Sequence, residues 1–166
     1  MKNTSSLFVL LLVLALLPAC ANKKKKQYAG IDGDYVAGTP LSERSEGANF
    51  MGSNVNRTEF SPVTFAFDST AVGADQEEKV ERVAQNVRSS GKTVIVAGFT
   101  DDRGTEEYNR SLGERRALAV RQALIGKGVA ASKIQTVSFG KEMPVDPASN
   151  EAAWAKNRRA EFGIVK

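Results

Sequence analysis

The residues with chemistry to offer are concentrated in one stretch. It runs Gly98-Phe99-Thr100-Asp101-Asp102-Arg103-Gly104-Thr105-Glu106-Glu107-Tyr108-Asn109 and continues as Leu112-Gly113-Glu114-Arg115-Arg116-Ala117. Further along come Phe139-Gly140-Lys141-Glu142-Met143-Pro144 and Asn157-Arg158-Arg159-Ala160. A carboxylate pair such as Asp101 and Glu107 is the kind that does acid–base work on a glycosidic bond. The chain contains no histidine, which excludes Ser-His-Asp and Cys-His nucleophilic sites and the usual His-containing zinc and iron sites. Asp102 and Glu106 beside Asp101 make an acidic loop without the EF-hand pattern, so no metal site is read there. What remains is a fixed carboxylate, Asp101, followed by guanidinium groups at Arg115 and Arg116. That combination points to binding of a charged ligand without a cofactor and without catalysis, with hydrolysis by the carboxylate pair as the lesser reading.

The flanking elements must bring those charges together. Val63 to Phe67 is β-branched and aromatic and reads as a strand ending at Asp68. Ala74 to Ser89 carries Val80, Val83, Ala84 and Val87 at helical spacing and stops at Gly91. Thr93 to Gly98 is nearly continuously apolar, the mark of a strand buried on both faces. A loop from Phe99 to about Glu107 leads to a helix from about Leu112 to Lys127, with Ala117, Val120, Ala123 and Leu124 as its core stripe. Ile134 to Phe139 and Ala160 to Val165 read as strands, with a short helix at Glu151 to Lys156 before the last. The order β-α-β-α-β-(α)-β predicts an α/β (α+β) domain, a mixed sheet with helices on one face. Asp101 then ends a buried strand and Arg115-Arg116 lie early in the next helix. Strand ends and helix starts converge at one edge of such a sheet, where ligands bind.

The rest of the chain reads as delivery. Lys2 and a few polar residues precede an apolar run, Leu7 to Leu17, of about 11 to 13 residues, an h-region length rather than a membrane span. The run leads through Pro18 and Ala19 into Cys20, the only cysteine. Leu17-Pro18-Ala19-Cys20 resembles the bacterial lipobox, in which the thiol takes diacylglycerol and becomes the new N-terminus. Residues 1–19 therefore read as a signal peptide. Residues 20–58, rich in Lys, Gly, Ser and Asn without a sustained period, read as a lipidated N-terminus and mobile tether. Residues 59–166 read as the binding domain. Lys23-Lys24-Lys25-Lys26 supplies much of the net charge of +4. It either touches anionic lipid headgroups or is simply solvated. Nucleic acid is excluded as a partner, since the basic residues are not interleaved with aromatics and the protein is read as exported.

The GxTDxRG-type loop, the N-x-x-L-x-x-R-R-A pattern of Asn109 to Ala117 and the later Asn157-Arg158-Arg159 resemble the OmpA-like peptidoglycan-binding domain family. Within it the likeness is greatest to the peptidoglycan-associated lipoproteins of Gram-negative bacteria, and it covers roughly Thr58 to Lys166. Phe99 departs from the His often found there, although neighbouring OmpA-like domains carry an aromatic. The resemblance implies an outer-membrane lipoprotein, anchored by lipid at Cys20 with its globular domain in the periplasm. It implies non-covalent binding of peptidoglycan through the diaminopimelate of the stem peptide, a partnership with TolB, and a part in envelope integrity and cell division. A wall-binding lipoprotein of the same fold without the Tol partnership is the alternative. Diaminopimelate ends in an ammonium and a carboxylate, and the resemblance gives the first to Asp101 and the second to Arg116, both expected to be partly exposed. Thr100 and Leu112 are implied at the site, Leu112 as wall. Asp68 and Asn109 either line the same groove or serve as turn and cap residues. Arg158 either binds ligand or braces Asp101, and Arg115 is read as exposed or structural.

Overall fold

The computed structural model describes residues 48–166. The leader, Cys20 and Lys23-Lys24-Lys25-Lys26 lie outside the described residues. The elements are β1 Val55–Asn56, β2 Val63–Thr64, α1 Glu77–Ser90, β3 Val94–Phe99, α2 Glu106–Gly126, β4 Ile134–Gly140, α3 Glu151–Asn157 and β5 Arg159–Val165. Single 3-10 turns occupy Ala48–Met51, Ala74–Gln76 and Ala131–Lys133. The expected order and mixed sheet are present. The strands lie in the order β1-β5-β3-β4, with β2 also paired to β5. β3 and β4 are parallel, with α2 as the crossover a parallel pair requires. β5 lies antiparallel between β3 and the two short strands.

All six residues of β3 are buried, as its continuous apolar run predicts. Val94 and Val96 pack with Val80, Val83 and Val87 of α1 and Ala117, Val120 and Leu124 of α2. Ile95, Ala97 and Phe99 face the other way, into a second cluster with Phe50 and Val55. Helices α1 and α2 thus cover one face. A chain segment ahead of β1 covers the other.

That segment corrects the expected tether boundary. Phe50 has no accessible surface, and Val55 pairs with Val165. Gly163 leaves the room they need, because a Cβ there would lie 2.5 Å from Val55 Cγ1 and 2.9 Å from the Phe50 ring. A strand of two residues shows no periodicity, so the stretch reads from sequence as part of the tether. Two other boundaries move. Helix α2 begins at Glu106 rather than near Leu112: Thr105 caps it, accepting the Tyr108 N–H at 3.2 Å, and Glu106 and Glu107 suit the positive end of the helix dipole. β2 ends at Thr64, after which Phe65 donates its N–H to Arg158 O (3.0 Å) and the chain turns through Asp68 at φ 51°.

The start of α2 sits directly on the end of β3. A Cβ on Gly98 would stand 1.9 Å from Gly113 O, and one on Gly113 would stand 2.4 Å from Ser138 Oγ. Two facing glycines let the backbones meet at the place where the charged loop leaves the sheet.

Candidate binding site

A cavity of about 240 Å³ opens at this junction. Asp68, Thr100, Asp101, Asn109, Leu112 and Arg116, all expected from sequence, line it. Phe67, Arg103, Gly104 and Tyr108 line it as well, without having been expected there. Arg158, the remaining expected residue, reaches Asp101 from behind.

Asp101 is the anion of the site, and it is 5% exposed. Its Oδ2 accepts from Arg103 Nη2 at 2.6 Å and from Arg158 Nη1 at 3.4 Å, while Oδ1 accepts the Arg103 N–H at 3.3 Å. Burial by itself would raise the carboxyl. The Arg103 hydrogen bonds and charge, helped by Arg158, outweigh it and hold Asp101 below the usual carboxylate range. Arg158 is itself fixed, donating Nε to Phe65 O at 3.1 Å and Nη2 to Glu151 Oε1 at 2.7 Å. Of the two roles open to Arg158, bracing Asp101 is the one its contacts describe.

Arg116 departs from expectation. It has no accessible surface. Its Nε donates to Ser69 O (2.9 Å), its Nη1 to Phe99 O (2.9 Å) and its Nη2 to Ala66 O (3.3 Å). Burial pushes the guanidinium down to about 10, opposed first by the Asp101 charge, and it stays charged at neutral pH. The helix that carries it packs so closely on β3 that a long side chain pointing at the strand ends lands under the loops, on their carbonyls. Arg116 therefore ties the loop after β2 to the end of β3 and supplies positive charge beneath the cavity.

Arg103 takes the place expected of an exposed cation. Its side chain is 31% exposed. Its guanidinium lies 4.1 Å from the ring centre of Phe67 and 4.1 Å from that of Trp154. Asn109, 1% exposed, donates Nδ2 to Arg103 O and Thr105 O at 2.9 and 3.0 Å, so it both lines the cavity and fixes the loop. Thr100 hangs that loop on β4 through its N–H to Gly140 O at 2.8 Å. Asp68 accepts the Tyr108 hydroxyl across the mouth, and this bond pushes the phenol up, with burial adding to it. Leu112, 5% exposed, is the apolar wall, and Arg115 is exposed as read, donating to Ser111 Oγ. The signal for Arg103 was present as the R of the charged loop. Its aromatic neighbours, 36 positions before it and 51 after it, carried no local hint.

A family model described as the OmpA family matches residues 64–158. The chain belongs to the OmpA family. Its relatives include peptidoglycan-associated lipoproteins. The one from Agrobacterium fabrum is 38% identical over 92% of this chain and 84% of that protein. The one from Pasteurella multocida is 35% identical over 96% of this chain and 97% of that protein. The Pseudomonas aeruginosa protein is 42% identical over 59% of this chain, and the match spans 58% of its length. Among solved structures, the peptidoglycan-associated lipoprotein from Burkholderia pseudomallei is 41% identical with a TM-score of 0.61, covering 66% of this chain and 90% of that one. The C-terminal domain of Helicobacter pylori MotB is 28% identical with a TM-score of 0.59, covering 64% and 85%. The OmpA-family fold, a mixed sheet with helices, is the fold expected from the motifs.

Proposed function

We propose that this OmpA-family chain is an outer-membrane lipoprotein that grips peptidoglycan without cutting it, holding diaminopimelate of the stem peptide in the cavity at Asp101. The observation that carries the reading is Asp101 itself: a carboxylate kept ionised by two arginines, at the wall of a cavity sized for one amino-acid end. A carboxylate has about four acceptor sites, so an incoming ammonium finds room beside the arginines. Leu112 and Phe67 offer apolar surface to the methylene chain behind that ammonium. The names of the relatives support the same target and the lipid anchor. Residues 1–19 are removed, Cys20 carries the lipid, and the residues up to 47 form the tether. Among the described residues no helix is long and apolar enough to cross a membrane, which suits anchoring by lipid. Partnership with TolB and a part in constriction at division complete the reading.

Sedimentation with purified sacculi tests it. Asp101→Ala should lower affinity by roughly 10-fold or more, the loss of one charge-assisted contact, in a protein that melts below wild type because Arg103 and Arg158 lose their partner, yet is still folded at the assay temperature. Wild-type binding by the folded variant overturns the site. Reversible cross-linking in cells, followed by purification of the lipidated protein, tests the TolB partnership. Recovery of wall fragments without TolB favours the wall-binding lipoprotein that lacks it.

A further inference from the structure

The charges outside the site are not spread evenly over the domain. At the end of the sheet away from Asp101, exposed cations follow one another along a rim. Lys133 donates Nζ to Gly91 O at 2.7 Å, beside Lys92. Thr93, next in the chain, accepts the Val165 N–H at 2.9 Å. Lys166 then donates its N–H to Asn54 O at 2.8 Å and its Nζ to Ser53 O at 3.1 Å. Past that turn, Arg57 donates Nη1 to Met51 Sδ at 3.0 Å, and Met51 is 43% exposed. Lys92, Lys133, Lys166 and Arg57 are all exposed, and none of them pairs with a carboxylate among the described residues. Glu59, close to Arg57 in the chain, accepts from the amides of Asn56 and Asn86 instead. Arg88 and Lys127 stand nearby but are matched by Glu81 and Glu77. The cavity end has the opposite balance. There Asp68, Asp102, Glu106, Glu107, Glu142 and Glu151 are exposed, and they outnumber the exposed cations Arg110, Arg115 and Lys156.

We propose that the rim of Lys92, Lys133, Lys166 and Arg57 is a membrane-facing surface, which rests on anionic phospholipid while the cavity points away from the bilayer. This rests on the reading that Cys20 carries lipid. Residues 20–47 then measure at most about 100 Å, so the domain never strays far from the bilayer that holds its anchor. A weak second contact to that bilayer becomes an intramolecular one and needs little affinity of its own. Each cation near an anionic surface contributes about 5-fold, the equivalent of about 1 kcal/mol. Four together reach on the order of 100-fold once Glu59 is set against them. Met51 adds an apolar side chain among the cations, and buried apolar area and charge act together at such a surface. The exposed carboxylates at the other end are repelled by the same lipid, so the charge separation sets orientation as well as attraction.

The test uses the natively lipidated protein, reconstituted into vesicles of phosphatidylcholine alone or of phosphatidylcholine mixed with phosphatidylglycerol. An amine-acylating reagent then reports the accessibility of each lysine, read residue by residue by mass spectrometry. Lys92, Lys133 and Lys166 should react about 5-fold more slowly or less on the anionic vesicles than on the neutral ones. Raising the salt should remove that protection, because it shortens the reach of the surface charge. Lys141 and Lys156, at the cavity end, should react alike on both vesicles. Lys92→Glu should lessen the protection of Lys133 and Lys166 without moving the melt, since it reverses one charge of the rim on an exposed turn. Equal rates on the two vesicles at Lys92, Lys133 and Lys166 overturn the proposal. So does protection confined to Lys23-Lys24-Lys25-Lys26, which would leave the chain ahead of the domain as the sole contact, and so does equal protection of both ends. Protection that persists undiminished in Lys92→Glu overturns it as well. A protein that floats with neither vesicle refutes the lipid-anchored reading, and the proposal with it; one that floats with both while its rim stays open refutes the proposal alone.

Discussion

Replacing Arg116 with Ala distinguishes a ligand contact from a brace. A ligand contact at the surface would cost affinity and little stability. The three hydrogen bonds from Arg116 to Ser69 O, Phe99 O and Ala66 O say otherwise. Each bond from a charged donor contributes about 1.5 to 3 kcal/mol, and the outermost, at 3.3 Å, belongs at or below the lower figure. Water entering a vacated cavity at the sheet edge recovers part of the loss. A net destabilisation of about 3 to 5 kcal/mol results, in the range found when a buried charge network is broken. For a domain of this size that lowers the melting temperature by on the order of 15 °C. Urea denaturation followed by circular dichroism measures the free energy, and sacculus sedimentation at low temperature measures binding of what stays folded. Arg116→Lys should recover only the one bond its single ammonium reaches best. An Arg116→Ala protein within about 1 kcal/mol of wild type, yet unable to bind sacculi, would refute the brace and restore Arg116 as a ligand group.

Four further outcomes are expected. Gly98→Ala should destabilise the domain by about 2 kcal/mol or more in the same denaturation assay, because its Cβ meets the Gly113 carbonyl, a backbone atom that cannot turn aside. Phe50→Ala should cost about 3 to 5 kcal/mol, and a melt indistinguishable from wild type would return residues 48–56 to the tether. Asp101 has a folded-state pKa below its unfolded value of about 3.9, so its pairing stabilises the fold above that value and is lost as pH falls through the folded one. Asp101→Asn should therefore flatten the acid limb of stability against pH, and an unchanged limb would count against the pairing. Cys20→Ser should abolish lipid attachment, read by flotation with membranes free of peptidoglycan; continued flotation would contradict the lipobox.

The parts of this fold legible in the sequence are those whose signal is local. β3 announced itself by six consecutive apolar positions, α1 by valines at helical spacing, and the site by a charged loop between a strand and a helix. β1 escaped because two residues carry no period, and because Phe50, fully buried, stands in a stretch broken by glycines. The start of α2 escaped although Thr105 ahead of two glutamates is a capping signal. The roles of the arginines escaped for a deeper reason. A guanidinium on a helix of mixed charge reads as solvated, and only the approach of Gly98 to Gly113 draws α2 close enough to bury Arg116. Arg103 looked like one charge among several, since Phe67 and Trp154 meet it only after the chain has folded.

The pairing of Val55 with Val165 has a mechanical consequence. Val94, at the start of β3, faces Ile164, next to that pair, while Asp101 follows the other end of the same strand. The Val55–Val165 pair thus lies at one end of the sheet and the candidate ligand at the other, roughly 20 Å away at about 3.3 Å per residue. With the lipid at Cys20 and the wall at Asp101, as proposed, tension delivered to the sheet through β1 would run lengthwise through β5 and β3. Those strands are paired from Val94 opposite Ile164 to Gly98 opposite Ala160, and a lengthwise pull loads every rung of that ladder at once. Had β1 been paired at the ligand end, the same pull would peel the rungs apart one by one.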